Sequence, residues 1–176
     1  TIHSNVKDFP ANTQLSIAFM KDGKTNYYGV GNDNGTLKAM KNHDKVFEVG
    51  SITKVFTSTV LASLVADEKV KLDDNVNTFF PFPFKGDVKI TLKDLANHTS
   101  GLPRLPENLD LSNMANPYKS YDKELLEEYL KDILKLSSSP AETYAYSNLG
   151  AGLLGSKQGL SQKVRIQTLL QKRVFD

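Results

Sequence analysis

The sequence contains no cysteine, which excludes a disulfide framework, a thiol nucleophile and a thiolate metal site and leaves the redox compartment open. Histidine is scarce, and His3, His43 and His98 stand far apart without the paired spacing of metal ligands. Neither a metal nor a cofactor is expected. Charge of one sign is never gathered into a block, because 22 basic and 20 acidic residues are interspersed for a formal net charge of +2. Nucleic acid is therefore not expected as a partner. The short run Lys38 to Lys45, interrupted by Ala39, Met40 and Asp44, reads as a solvated loop. No apolar run approaches the ~20 residues that span a bilayer. The first residues, Thr1 to Asn5, lack the charged and apolar regions of a signal peptide, and the absence of an initial methionine suits a processed or trimmed product.

What is present is an ordinary globular composition, 176 residues of which 39% are hydrophobic, enough for one domain with a real core. No linker, repeat or low-complexity segment divides it. Residues 14–20 and 26–31 read as strands around the turn Lys21-Asp22-Gly23-Lys24, since Asp-Gly between β-rich runs is a strong hairpin signal. Residues 32–42 read as a loop, and Val46 to Val49 as an extended approach to Gly50. From Thr53 to Ala66 the apolar residues Val55, Phe56, Val60, Leu61, Leu64 and Val65 cover much of a helix circumference, which predicts a buried helix.

The Phe- and Pro-rich bend 79–84 reads as core packing or as a substrate-facing wall, with packing favoured. A short helix follows, with Thr91 and Asp94 as a capping box, and stops at Asn97-His98-Thr99-Ser100-Gly101-Leu102-Pro103. Residues 104–121 read as a long surface loop of the kind that often forms a lid. Asp122 caps a helix over 123–135, the glycines at 150, 152 and 155 mark a closely packed helix, and a last amphipathic helix is expected over about 163–174.

Two short patterns carry chemistry. Ser51 and Lys54 lie three residues apart at the start of the apolar helix, so their side chains share one face and the amine can reach the hydroxyl. A serine nucleophile needs that geometry from its base. Ser4–Lys7 and Ser120–Lys123 have the same spacing, so spacing alone does not single out Ser51. Burial would lower the Lys54 pKa until the amine could accept a proton, whereas a charged Lys54 would only polarise the serine; both readings stay open. The other pattern is Tyr146-Ser147-Asn148. A tyrosine hydroxyl beside an ammonium loses its proton more easily and can act as a base, and an asparagine offers a donor and an acceptor to an amide.

In order, Phe47-Glu48-Val49-Gly50-Ser51-Ile52-Thr53-Lys54, Leu95-Ala96-Asn97-His98-Thr99-Ser100-Gly101-Leu102-Pro103 and Tyr146-Ser147-Asn148-Leu149-Gly150 together resemble the serine β-lactamase and penicillin-binding-protein superfamily. The branch resembled is class C-like, which includes D-alanyl-D-alanine peptidases and related esterases. The resemblance runs from about Leu15 to the C-terminus. It implies an α/β (α+β) β-lactamase/transpeptidase-like fold, an antiparallel sheet flanked by helices plus a helical subdomain, with strands over residues 1–50 and the nucleophile helix and helical region over 51–176.

The same resemblance implies a serine acyl hydrolase acting through an acyl-enzyme on Ser51, with Lys54 activating it, Tyr146 shuttling the proton and Asn148 binding the substrate amide. His98-Thr99-Ser100-Gly101 is matched to a structural turn. A penicillin-recognising sensor acylated without turnover, or a non-catalytic fragment, are the alternatives. The family's third motif, a lysine or histidine followed by any residue and glycine on a late strand, has no counterpart in context; Lys157-Gln158-Gly159 has the letters but is expected between two helices. The chain therefore reads as the N-terminal part of a domain, truncated before its C-terminal strands, which a second chain could carry. The implied substrate is a small molecule, a β-lactam, a D-alanyl peptide or an ester, in a periplasmic or secreted setting.

Overall fold

A computed structural model of the chain describes residues 6, 8–113, 115–161 and 164–176, the side chains of 157–161 excepted. The chain divides into two compact units, residues 1–49 and 50–176. Unit one is a three-stranded antiparallel sheet of β1 (Gln14–Lys21), β2 (Lys24–Asp33) and β3 (Thr36–Ala39) in the order β1-β2-β3. The expected hairpin is present, with Lys21 opposite Lys24. Asp22 and Gly23 both take positive φ, 50° and 72°, as a two-residue turn between right-twisted strands requires.

The predicted loop 32–42 is corrected: β2 runs on to Asp33, Asn34-Gly35 makes a second turn with φ of 49° and 90°, and β3 returns along β2. Lys38, assigned to a solvated loop, lies in β3 and pairs at 2.6 Å with Asp33. His43 stacks on Tyr27 with ring centroids 4.5 Å apart. Residues 46–49 belong to no strand.

Unit two is helical. A 3-10 turn, Gly50–Ile52, runs directly into α1 (Thr53–Ala66). The helix buries Thr57, Val60, Leu61 and Leu64, a single i, i+3, i+4, i+7 stripe, while Val55 remains 61% exposed. The expectation of burial all round is thus corrected. Val65, partly buried, continues the stripe against the core, whereas Val55 lies off it.

The short helix α2 (Leu92–Ala96) starts with the expected capping box: the Thr91 hydroxyl accepts from the Asp94 N–H, and the Asp94 carboxylate accepts from the Thr91 N–H. Asp94 is buried, and Thr99 also donates to it, at 3.1 Å, which ties the segment after α2 back to its start. Asp122 caps α3 (Lys123–Glu128), which continues through a wider π-type turn over Tyr129–Ile133 and buries Tyr129 and Leu130. The helix α4 (Asn148–Ser161) contains Lys157-Gln158-Gly159, so that tripeptide lies inside a helix rather than between two. Last comes α5 (Ile166–Leu170) and a π-type turn, Gln171–Phe175; Lys163, where the final helix was expected to begin, lies outside the described residues, as do Ser4 and Lys7.

The core joins Val60, Leu61 and Leu64 of α1 to Leu92 and Leu95 of α2, Tyr129 and Leu130, and Leu153 and Leu154 of α4. Each fully buried leucine contributes on the order of 1.5–3 kcal/mol relative to exposure. The Phe-rich bend packs as expected: Phe84 is buried, with Phe80 5.0 Å and Phe82 6.4 Å from it between ring centroids.

Gly101 is the position where this unit leaves no room for a side chain. Its φ is +70°, and a Cβ there would clash with the Ser138 carbonyl oxygen. Gly101→Ala is predicted to destabilise the protein by about 2–5 kcal/mol, the sum of ~1–2 for a left-handed alanine and ~1–3 for overpacking. A denaturant midpoint unchanged from wild type would contradict this.

Candidate active site

Gly50 takes φ +51°, in the left-handed region, and an added Cβ would meet no atom within 4 Å. The glycine therefore serves the backbone turn that sets Ser51 at the helix entry and is not required by a close neighbour. Lys54 follows one turn later, and its Nζ donates to Ser51 Oγ at 3.1 Å. On the other side Tyr146 Oη donates to the same oxygen at 2.6 Å. Three of the four expected residues are thus in direct contact around one hydroxyl. Ser120 and Lys123 are not bonded to each other; both are exposed, and Lys123 pairs with Glu127 at 3.5 Å.

Tyr146 precedes α4 in an extended stretch held by residues 98–104. Ala145 N–H donates to the His98 carbonyl at 2.8 Å, Ser147 N–H to His98 Nδ1 at 3.2 Å, and Asn148 N–H to the Arg104 carbonyl at 3.0 Å. Ser147 is fully buried; its hydroxyl donates to the Pro103 carbonyl at 2.7 Å and accepts from the Gly150 N–H at 2.9 Å. Farther along, Ser137 N–H reaches the Gly101 carbonyl and Ala141 N–H the Thr99 carbonyl, both at 2.8 Å. The turn matched to scaffold thereby fixes the backbone that carries Tyr146.

Asn148 opens α4, two residues beyond Tyr146, and its Nδ2 donates to Tyr118 Oη at 3.3 Å. It is not bonded to Ser51, Lys54 or Tyr146. Tyr118 belongs to the loop 104–121, whose far end is held where Tyr121 donates to Asn108 Oδ1 at 3.0 Å and Asn108 donates to the Leu125 carbonyl at 2.9 Å. Leu109, Tyr118, Leu149, Gly152 and Leu153 line a cavity of about 340 Å3 beside this contact. Most described residues of the loop are exposed, as the surface-loop reading expects, while Pro106 and Leu109 are buried and anchor it.

Cations surround the phenol. Lys54 Nζ lies 5.0 Å and Arg104 Cζ 5.1 Å from the Tyr146 ring centroid. The Lys54 ammonium beside its oxygen, then the Ser51 hydroxyl, and last the Arg104 guanidinium hold the Tyr146 pKa below its ordinary value. His98 stacks on the same ring at 4.6 Å with planes inclined by 34°. Burial first, and the Lys54 charge second, push its pKa down. Sequence alone did not mark Arg104 or His98 as site residues. His98 lay within a motif that looked like a turn, and an isolated Arg104 carried no pattern. Among the described residues no group of three or more His, Asp or Glu side chains could hold a metal ion, and no helix is long and apolar enough to cross a membrane.

A family model described as Beta-lactamase matches residues 2–176. A beta-lactamase of Pseudomonas fluorescens is 32% identical over 168 residues, covering 90% of this chain and 43% of that protein. Among solved structures, a beta-lactamase/D-alanine carboxypeptidase from Yersinia pestis, complexed with citrate, superposes with a TM-score of 0.81 at 23% identity, covering 99% of this chain and 50% of that one. A class C beta-lactamase in complex with cefoxitin gives a TM-score of 0.75 at 24% identity, covering 99% and 46%. The likeness to both structures establishes the β-lactamase-like fold. The chain spans half or less of the length of each of these relatives.

Replacing Lys54 with alanine is predicted to raise the Tyr146 pKa toward that of an ordinary tyrosine, because it removes the largest stabiliser of the phenolate, and Arg104→Ala should raise it less. Tyrosine 13Cζ titration by NMR checks both; a Tyr146 pKa unmoved by loss of Lys54 would contradict the assignment of cause.

Proposed function

We propose, from the premise that this chain belongs to the beta-lactamase family, that it carries the nucleophilic half of a serine acyl hydrolase. The observation that carries the reading is a single hydroxyl, Ser51 Oγ, in contact with Lys54 Nζ and Tyr146 Oη together. In the proposed reaction Ser51 Oγ attacks a substrate carbonyl while its proton passes to the Tyr146 oxygen, stabilised as phenolate by Lys54 and Arg104. The tetrahedral adduct collapses, the C–N or C–O bond to the leaving group breaks, and that group takes the proton back from Tyr146. Water then cleaves the acyl-serine ester, with the same tyrosine–lysine pair handling its proton.

The short Ser51–Tyr146 distance suits transfer in either direction, so the pair can act first as base and then as acid. Asn148 is assigned to the substrate amide, held at the edge of the loop by Tyr118, with the apolar cavity beyond it open to a substrate side chain. The oxyanion would be stabilised by the Ser51 N–H and by a second N–H from a strand outside these residues. The third motif and the remaining strands are assigned likewise to a segment beyond this chain, in the same polypeptide or in a second one. The substrate class is a β-lactam, a D-alanyl peptide or an ester, and the setting is periplasmic or secreted. A sensor that is acylated but not turned over uses the same residues and differs in the deacylation step alone.

With the intact protein, a fluorescent penicillin should label Ser51, as located by mass spectrometry of the adduct peptide, and Ser51→Ala should abolish labelling without loss of fold. Absence of label on Ser51 in wild type, or full hydrolytic activity in Ser51→Ala, would refute the nucleophile. Label persisting for hours would favour the sensor over the hydrolase.

A further inference from the structure

His98 touches the proton-transfer group without belonging to it. Its imidazole lies against the Tyr146 ring at 4.6 Å. Its carbonyl accepts from Ala145 N–H and its Nδ1 from Ser147 N–H, so the residues on both sides of Tyr146 are bonded to this one histidine. Tyr144 meets the imidazole edge-on at 6.0 Å. The His98 φ of +59° places it in the left-handed region, where few residue types sit without strain.

An Nδ1 that accepts a hydrogen bond belongs to a neutral imidazole with its proton on Nε2. Protonation would put an N–H on Nδ1, facing the Ser147 N–H donor to donor. It would also place a second cation beside Lys54, whose charge already disfavours the imidazolium. The titratable groups around the ring are Lys54 from α1, Tyr144 and Tyr146 from the stretch before α4, and Arg104, which lies on the Tyr146 ring. None of these is a carboxylate that would stabilise an imidazolium.

We propose that His98 is the positioning residue for Tyr146: its neutral imidazole holds the Tyr146 ring and the Ser147 amide so that the phenol meets Ser51, and protonation at Nδ1 releases that hold. The inference deepens the acyl-serine reading and rests on it for its kinetic consequence, though not for its structural one. Burial keeps the histidine neutral at ordinary pH, so the site works there and weakens toward acid. The sign follows from the bond: loss of the acceptor comes with gain of a proton, so the effect is an acid limb and not an alkaline one.

The test uses the intact protein with 13Cζ-labelled tyrosine, Tyr146 being assigned by loss of its signal in Tyr146→Phe. His98→Asn is the informative variant, because asparagine tolerates positive φ, its Oδ1 can accept from the Ser147 N–H, and it does not titrate. In wild type, between about pH 4 and 8, the range over which an imidazole changes charge, the Tyr146 13Cζ and Ser147 amide signals should move through the same transition as the His98 ring. The penicillin-labelling rate should fall through that transition by about tenfold or more, within the ~10²–10⁴-fold that positioned proton transfer supplies. In His98→Asn both signals should lose the transition, and labelling should lose the inflection that follows it, leaving only the fall due to protonation of Tyr146 itself. Tyr146 and Ser147 signals that stay flat while His98 titrates, or the same inflection in labelling retained in His98→Asn, would overturn the proposal. If wild type takes no label yet shows the coupled transition, and His98→Asn removes it, the acyl-serine reading fails and the positioning role of His98 stands.

Discussion

A hydrogen bond of 2.6 Å between Tyr146 and Ser51 joins positions 95 residues apart, and it is the contact that brings the two halves of the candidate site together. Lys54 needs nothing beyond α1 to reach Ser51, since one helical turn brings the two together. Tyr146 has no such local guarantee. Its place depends on the capping box of α2, on the Asp94–Thr99 contact, on the turn at Gly101, and on the backbone bonds that lace residues 98–104 to 137–149. Much of the described architecture of unit two can be understood as the support of that one long-range contact.

The electrostatics act in the same direction as the geometry. Two cations, Lys54 and Arg104, lie about 5 Å from one phenol ring, and a phenolate is the species they favour. The half-buried His98 on that ring would add a third positive charge if protonated, but desolvation first and Lys54 second disfavour its charged form. The cluster therefore favours one anion at a defined place, which is what the proposed exchange of a proton between Ser51 and a leaving group would require. His98 then joins the support of the backbone to the proton chemistry, because the same ring bonds the Ser147 amide and packs on Tyr146.

Legibility from sequence followed the range of the interactions. Asp22-Gly23, Thr91–Asp94 and Asp122 each declare their structure within four residues, and hairpin, capping box and cap all form. Ser51 and Lys54 are local in the same way. Asn34-Gly35 declared a turn just as clearly, yet the polar residues around it suggested a loop, because β3 is a short strand that buries no continuous face. The one-sided burial of α1 was not legible, since a row of apolar residues does not say which of them finds a partner. His98 and Arg104 were hidden for a further reason. Their roles arise from a ring contact and a charge brought to Tyr146 from more than forty positions away, which no spacing records.

The central claim is that Ser51, Lys54 and Tyr146 act as one proton-transfer unit. A double-mutant cycle measures it most directly, comparing the Ser51 acylation rates of wild type, Lys54→Ala, Tyr146→Phe and the double variant. The account predicts that each single change slows acylation by on the order of 10²–10⁴-fold and that the double variant is little slower than the slower single. Effects that multiply in full in the double variant would mean that the two residues act independently, and would contradict it.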